Sequence, residues 1–282
     1  MRRIKHSQNF IKENGLVEFL IKEAGINRTD TVLEIGAGKG TITEQLCKKA
    51  GKVIAIEKDR KLYDRIDRRL KNYKNLKLVA GDFIDYPLPD QPYKCFSNIP
   101  FNYTADIVRK LLMGNNSPTD AYLFMQKESA QRFMGRMKST QISLLLAPFW
   151  KTRVLYNFKR SDFKPNPSVD VVLVQFKRKL LPDINKIEYL IYRDFITYVF
   201  NQWKSNVGKS LEIVFTYKQL KRLSKSIGLD LRSKPTTVNY KKWLCLFRFI
   251  CEKQNEVRVK AFSGYYEKYE ELHSKRVSRY RI

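Results

Sequence analysis

Ser97-Asn98-Ile99-Pro100-Phe101 is the stretch of this chain with the most direct chemical use. An exocyclic amine on a nucleobase is a poor nucleophile, because its lone pair is delocalised into the ring. It reacts when its hydrogens are held so that the nitrogen can pyramidalise. The Asn98 side-chain carbonyl can accept one hydrogen. The Pro100 main-chain carbonyl, in an extended turn of the kind an X-Pro step favours, can accept the other. Phe101 supplies a flat face for the base, a contact worth about 1–3 kcal/mol. No strong base is needed, since the amine can lose its proton after group transfer. The rate would come from alignment and polar stabilisation. The bland alternative is an ordinary Asn-x-Pro loop.

Three other features could hold a nucleoside. Glu34-Ile-Gly36-Ala-Gly38-Lys-Gly40 contains glycines that let the backbone approach a ligand closely. A dinucleotide turn of G-x-G-x-x-G type would want glycine where Thr41 stands. The E-x-G-x-G-x-G spacing instead resembles the turn of S-adenosylmethionine-dependent methyltransferases, and a purely structural tight turn stays open. Glu57 could accept both hydroxyls of a ribose, or be an exposed strand-end acid. In Gly81-Asp82-Phe83, Asp82 could accept from an adenine amino group and Phe83 could pack on the ring.

These residues need a frame that gathers them. Thr31–Ile35, Val53–Ile56, Leu76–Ala80, Tyr93–Ser97 and Ala121–Met125 read as strands. Helical patterns cover 14–24, 41–48, 59–71, 104–112 and 127–137, and 142–149 and 169–177 read as two further strands. Strands separated by such helices predict an α/β fold with a parallel sheet and helices on both faces. The glycine turn, Glu57, Asp82 and Asn98 then follow successive strands at the carboxyl edge, where open α/β sheets bind ligands. After Lys179-Leu-Leu-Pro182 the pattern becomes all-helical, over 186–201, 216–226 and 237–251. The expected division is a Rossmann-like catalytic domain over 1–179, a helical RNA-binding domain over 180–252, and a basic extension over 253–282 that is partly disordered when alone.

The formal net charge of the 282 residues is +27. The first 177 residues carry net +14 and the remaining 105 net +13, so the helical part is the more basic per residue. Such an excess points to a polyanionic partner, nucleic acid or an anionic membrane, beyond what solubility needs. The longest charge-free apolar stretch, Ser139 to Trp150, is too short to span a bilayer. Lys12 and Glu13 interrupt any apolar core near the basic start, so no secretion signal is expected. Cys47, Cys95, Cys245 and Cys251 lack paired spacing, which suits a reducing cytoplasm. With only His6 and His273, neither a histidine-based metal site nor a Ser-His-Asp triad is expected.

Ser7-Gln8-Asn9-Phe10, the glycine turn, Glu57, Gly81-Asp82-Phe83, Asn98-Ile-Pro-Phe101 and Phe163-Lys-Pro165-Asn-Pro167-Ser-Val169 stand in the order found in ribosomal RNA adenine N6-methyltransferases. The chain resembles that superfamily over roughly residues 5 to 250, and within it most resembles the Erm group. The resemblance implies methyl transfer from S-adenosylmethionine to N6 of one adenine in the peptidyl-transferase loop of 23S rRNA. Resistance to macrolides, lincosamides and streptogramin B would follow, in a cytoplasmic monomer. It further implies that Asn9 and the Ile11 backbone contact the methionine end of the cofactor, that Gly36 and Gly38 let the backbone close over it, and that Glu57 binds the ribose. Asp82, with Phe83, would take the adenine. Asn98 and Phe101 would hold the target base, Asn98 also bordering the cofactor, and Phe163 would close the other side of the pocket. Many relatives have Tyr where Phe101 stands, so a hydroxyl is missing here. The nearest alternative is a 16S rRNA adenine dimethyltransferase of small-subunit biogenesis, which shares the pocket; a non-catalytic nucleic-acid binder would show a damaged one. Basic candidates for RNA contact are Arg2, Arg3, Lys5, Arg109, Lys110, Arg132, Arg136 and Lys138, with much of the helical domain.

Overall fold

In a computed structural model of the chain, residues 9–252 and 259–279 are described. The chain divides into two compact units. One runs to Ala130 and resumes over Trp150–Leu180; the other combines Gln131–Phe149 with the chain after Leu180. One boundary between the units lies at Leu180. The segment 131–149, read as part of the first domain, belongs instead to the helical unit.

The first unit begins with a short strand, β1 (Phe10–Ile11), and helix α1 (Asn14–Glu23), which buries Val17, Leu20 and Ile21 on one face. Strand β2 (Thr31–Ile35) leads through the glycine turn into α2 (Thr41–Lys49). Strand β3 (Lys52–Glu57) leads into α3 (Arg60–Leu70), whose first amides are capped by the Asp59 carboxylate and whose Ile66 and Leu70 face inward. Strands β4 (Leu76–Ala80) and β5 (Lys94–Asn98) follow. A single 3-10 turn over Phe101–Tyr103 starts α4 (Thr104–Met113), then come β6 (Asp120–Gln126) and α5 (Lys127–Met134).

Residues 142–149 do not form a strand. Thr140 caps helix α6 (Gln141–Leu146) in a reciprocal box with Ser143, and strand β7 begins only at Trp150, running to Asn157. A short apolar run such as Ile142-Ser-Leu-Leu-Leu does not set its own period, and the cap decides it. Strands β8 (Phe163–Lys164) and β9 (Val171–Arg178) complete the unit. The main sheet has the order β4-β3-β2-β5-β6-β9-β7. The run from β4 to β6 is parallel, but β9 lies antiparallel to both β6 and β7, so the sheet is mixed where a parallel one was expected. The central strands β2 and β3 are buried along nearly their whole length, as strands covered on both faces must be.

In the helical unit, α7 (Lys186–Phe200) is capped by Asn185 and Glu188 and followed by α8 (Val207–Leu211), α9 (Tyr217–Ser226) and α10 (Tyr240–Glu252). Phe195 is its centre, with ring centroids 6.0 Å from Trp243 and 5.6 Å from Phe262. The chain after 252 is therefore no detached extension in its described part. Phe262 is buried in that ring cluster, and helix α11 (Tyr265–Arg279) starts on the Asp194 carboxylate, which accepts the Gly264 and Tyr266 amides at 2.7 and 3.0 Å. Residues 253–258 and 280–282 of the expected extension, like Arg2, Arg3 and Lys5, lie outside the described residues. Among the described residues no helix is long and apolar enough to cross a membrane.

Candidate active site

The carboxyl ends of β2, β3, β4 and β5 enclose a cavity of about 390 Å³. Asn9, Ile11, Gly36, Gly38, Glu57, Asp82, Phe83, Asn98, Pro100 and Phe101 all line it. Phe163 does not. Its side chain is wholly buried, 5.2 Å from the Phe158 ring, and its backbone pairs with Ile11 in the small β1–β8 sheet. Its contribution is to hold β1 rather than to face the cavity.

The glycine turn is built for close approach. Gly36 and Gly38 both have φ in the left-handed region (+73° and +61°), and a Cβ on Gly38 would stand 2.7 Å from the Phe10 ring. The turn is tied to the next strand by Glu57, a buried carboxylate whose Oε2 accepts the Gly38 amide at 2.7 Å and whose Oε1 accepts the Asp59 amide at 2.8 Å. Each carboxylate oxygen has about two acceptor positions, so both keep one for a ligand hydroxyl. Asp82 is held by the Lys58 ammonium at 2.7 Å and the Ile84 amide at 2.9 Å. Burial alone would raise its pKa, but these bonds and the charges of Lys58 and Lys110 outweigh it and the net shift is downward. Lys110 has two of its three ammonium donors in use. Its ammonium donates to the Ile84 and Tyr86 carbonyls and lies 5.1 Å above the Phe83 ring, fastening the loop that carries Asp82.

At the tetrapeptide, Asn98 Nδ2 donates to the Asn9 carbonyl at 2.7 Å. A carbonyl can only accept, so this contact fixes the amide orientation and leaves Oδ1 uncommitted among the described residues. The Pro100 carbonyl is already used by the Tyr103 amide at 3.0 Å, closing the 3-10 turn, whereas no turn hydrogen bond among the described residues ends on the Ile99 carbonyl. Gly36 and Pro100 are near neighbours: a Cβ on Gly36 would lie 3.9 Å from Pro100 Cδ, so the cofactor-type turn and the tetrapeptide border one space.

Of the lining residues that received no role from the sequence, Lys58 and Glu34 bear most on the site. Lys58 follows Glu57 directly. Glu34 opens the glycine motif, is buried, and has Oε2 without a hydrogen bond. Burial first, and then the Glu57 charge, push its pKa from the ordinary 4.5 up to about 8, against the pull of the Thr43 hydroxyl, which itself closes no hydrogen bond. Folded Glu34 thus keeps its proton between pH 4.5 and 8 while the unfolded chain loses it. Its effect on stability is complete at low pH and declines as pH rises through that window. In Glu34→Gln this dependence disappears. The stability of the variant relative to the parent should rise by up to about 1.4 kcal/mol per pH unit across the window and level off above it. Unfolding curves at pH 5, 7 and 8.5 test this; a pH-independent difference would refute it.

An electrophile-carrying nucleoside such as S-adenosylmethionine fits these residues: paired acceptors on Glu57, a second acid at Asp82, a Cβ-free turn, and an uncommitted amide oxygen across the space. Residues 1–252 match the ribosomal RNA adenine dimethylase family. The chain is 34% identical over 246 residues to an rRNA adenine N-6-methyltransferase of Lysinibacillus sphaericus, covering 86% of this chain and 95% of that protein. It is 31% identical over 237 residues to ribosomal RNA small subunit methyltransferase A of Thermotoga neapolitana, covering 82% and 89%. Among solved structures, that of the 23S rRNA methyltransferase ErmE superimposes with a TM-score of 0.79 at 22% identity, over 86% of this chain and all of that one.

Proposed function

Starting from a chain that belongs to the ribosomal RNA adenine dimethylase family, we propose that it methylates N6 of one adenine in the peptidyl-transferase loop of 23S rRNA and so confers macrolide, lincosamide and streptogramin B resistance. Family membership carries the reaction type, S-adenosylmethionine-dependent methylation of an rRNA adenine; the target and the residue roles are our reading. The observation that carries the methyl-transfer chemistry is the fixed amide of Asn98, whose Nδ2 is spent on Asn9 and whose Oδ1 is left to a substrate; the choice of target rests on the resemblance to the Erm group.

S-Adenosylmethionine, when bound, supplies a sulfonium methyl as electrophile. Glu57 would take its ribose, Asp82 and Phe83 its adenine, and Asn9, Ile11, Gly36 and Gly38 the methionine end. Asn98 Oδ1 accepts one hydrogen of the adenine amine, and a backbone carbonyl accepts the other. The Pro100 carbonyl accepts the Tyr103 amide and keeps one lone pair, and the Ile99 carbonyl has no turn bond among the described residues, so either can take that second role. With both hydrogens held, the nitrogen lone pair leaves ring conjugation and is free to attack. Phe101 stacks the base; lacking the hydroxyl of its tyrosine relatives, it fixes position by area alone. The amine proton leaves after transfer, so no side chain need act as a strong base. An adenine in a loop or single strand enters at least cost.

Glu57→Ala should bind S-adenosylmethionine at least about tenfold more weakly. It should also destabilise the fold by about 1–3 kcal/mol for the buried Gly38 amide left unpaired, and by less for the Asp59 amide, which water can reach. Calorimetric titration and a thermal melt read the two effects; unchanged affinity would take Glu57 out of the ribose site. The target is tested by primer extension on naked 23S rRNA and on assembled small subunits after incubation with protein and cofactor. A stop confined to the 23S peptidyl-transferase loop, with drug tolerance in a sensitive bacterium, is expected. A stop on small-subunit RNA instead would move the protein to the biogenesis branch.

A further inference from the structure

The helical unit carries a patch that the methyl-transfer site does not use. Trp203 stands fully exposed in the turn after α7, whereas Trp150 and Trp243 are buried. A wholly exposed indole offers a partner a flat apolar face, and the charges around it say which partner fits. Its neighbour Lys204 is exposed as well. The turn is fastened to the segment around Ser233: the Val207 amide donates to the Ser233 carbonyl and the Gly208 amide to the Leu231 carbonyl, both at 2.9 Å. That segment presents Arg232 and Lys234 to solvent. On its far side it holds a third loop, through the Ser139 amide on the Thr236 carbonyl and the Ser139 hydroxyl on the Val238 carbonyl, each at 2.7 Å. The third loop exposes Arg136 and Lys138. Asp230 is the acid nearest in sequence, and its Oδ1 is turned back onto the Arg232 amide. None of the five cations has an ion pair among the described residues.

From this juxtaposition of a bare indole with three loops of unpaired cations, joined by hydrogen bonds, we infer that Trp203 is a base-stacking point of the helical unit: one unpaired base of a single-stranded RNA segment lies on its ring, with the flanking phosphates on Lys204, Arg232 and Lys234. The inference rests on the proposed rRNA substrate and adds a second point of grip to it. A flat aromatic beside cations is the arrangement that single strands need: every base has a π face, and the phosphates follow the charge. A duplex would offer the indole no face.

The test uses the full chain and a short single-stranded RNA oligonucleotide. Trp203 is the accessible indole, so RNA should quench the red-shifted part of the fluorescence and protect it from acrylamide. Trp203→Ala should bind about 5- to 100-fold more weakly with the salt slope unchanged, and Trp203→Phe should recover most of the loss. Lys204→Gln with Lys234→Gln should instead lower the slope of log affinity against log salt by about 0.7 for each phosphate no longer neutralised. Trp203→Ala with wild-type RNA affinity and wild-type methylation kinetics overturns the inference and leaves the reaction assignment standing. A parent protein that neither binds RNA nor methylates it overturns both. Quenching absent with RNA, but a blue shift on phosphatidylserine vesicles, would make the patch a membrane contact and overturn the RNA reading.

Discussion

Asn98→Ala should lower the turnover of methyl transfer by about 10²–10³-fold, the loss seen when one preorganised polar contact to a reacting group is removed, while RNA binding stays as in the parent. The side chain has two ends with different duties. Nδ2 holds the Asn9 carbonyl, and Oδ1 has no partner among the described residues. Alanine deletes both, so a modest weakening of cofactor affinity, within several-fold, should accompany the catalytic loss through a loosened Asn9–Ile11 segment. Asn98→Asp separates the two ends. It keeps an acceptor for the amine but sets a carboxylate oxygen against the Asn9 carbonyl, two acceptors facing with no hydrogen between them. That variant should therefore lose more cofactor affinity than the alanine. Single-turnover methylation with saturating cofactor isolates the chemical step, and calorimetric titration isolates binding. Normal single-turnover rates in Asn98→Ala would remove the tetrapeptide from the reaction.

The part of this site that was legible in the sequence is the part fixed by topology. The glycine turn, Glu57, Asp82 and Asn98 each follow a strand of the parallel half, and a parallel sheet brings those ends to one edge whatever the details of packing. What the sequence concealed depends on which neighbour a group meets. Phe163 sits in a proline-rich segment that carries no periodicity, so its spacing cannot distinguish a ring facing a cavity from one buried under Phe158. The hydrogen bond from the Tyr103 amide to the Pro100 carbonyl, three residues apart, is invisible in a tetrapeptide, so the sequence did not show that one of that oxygen's two lone pairs is in use. Lys110 reads as a free surface charge, whereas two of its three ammonium donors hold loop carbonyls. The antiparallel β7–β9 pair was missed because the apolar run 142–149 drew the strand assignment away from Trp150–Asn157, whose alternation is interrupted by a register shift near Val154.

The tail shows the same limit with the largest structural consequence. Phe262 stands in a stretch of charged residues and tyrosines, which reads as solvated, yet it is buried against Phe195 and Tyr198. Removing a buried phenylalanine costs both its transfer free energy and the cavity it leaves, so Phe262→Ala should destabilise the helical unit by about 3–5 kcal/mol. The loss should extend along α11, because Asp194 can receive the Gly264 and Tyr266 amides only while the ring seats the chain beside it. Arg193, which stacks 4.1 Å from the Tyr266 ring and pairs with Glu267, would be released with it. Urea unfolding followed by Trp243 emission reads the effect directly, since Trp243 shares the Phe195 cluster. Asp194→Ala should cost less, about 1–3 kcal/mol for each amide left without its acceptor. The double variant should cost less than the two singles combined, because both changes undo one docking event. Full additivity would mean that the ring and the cap act independently. A Phe262→Ala protein that unfolds like the parent would return residues 259–279 to the role of a dispensable basic arm. Deletion of 253–282 should then lower only RNA affinity and its salt slope; with Phe262 seated as described, that deletion also lowers the midpoint of unfolding.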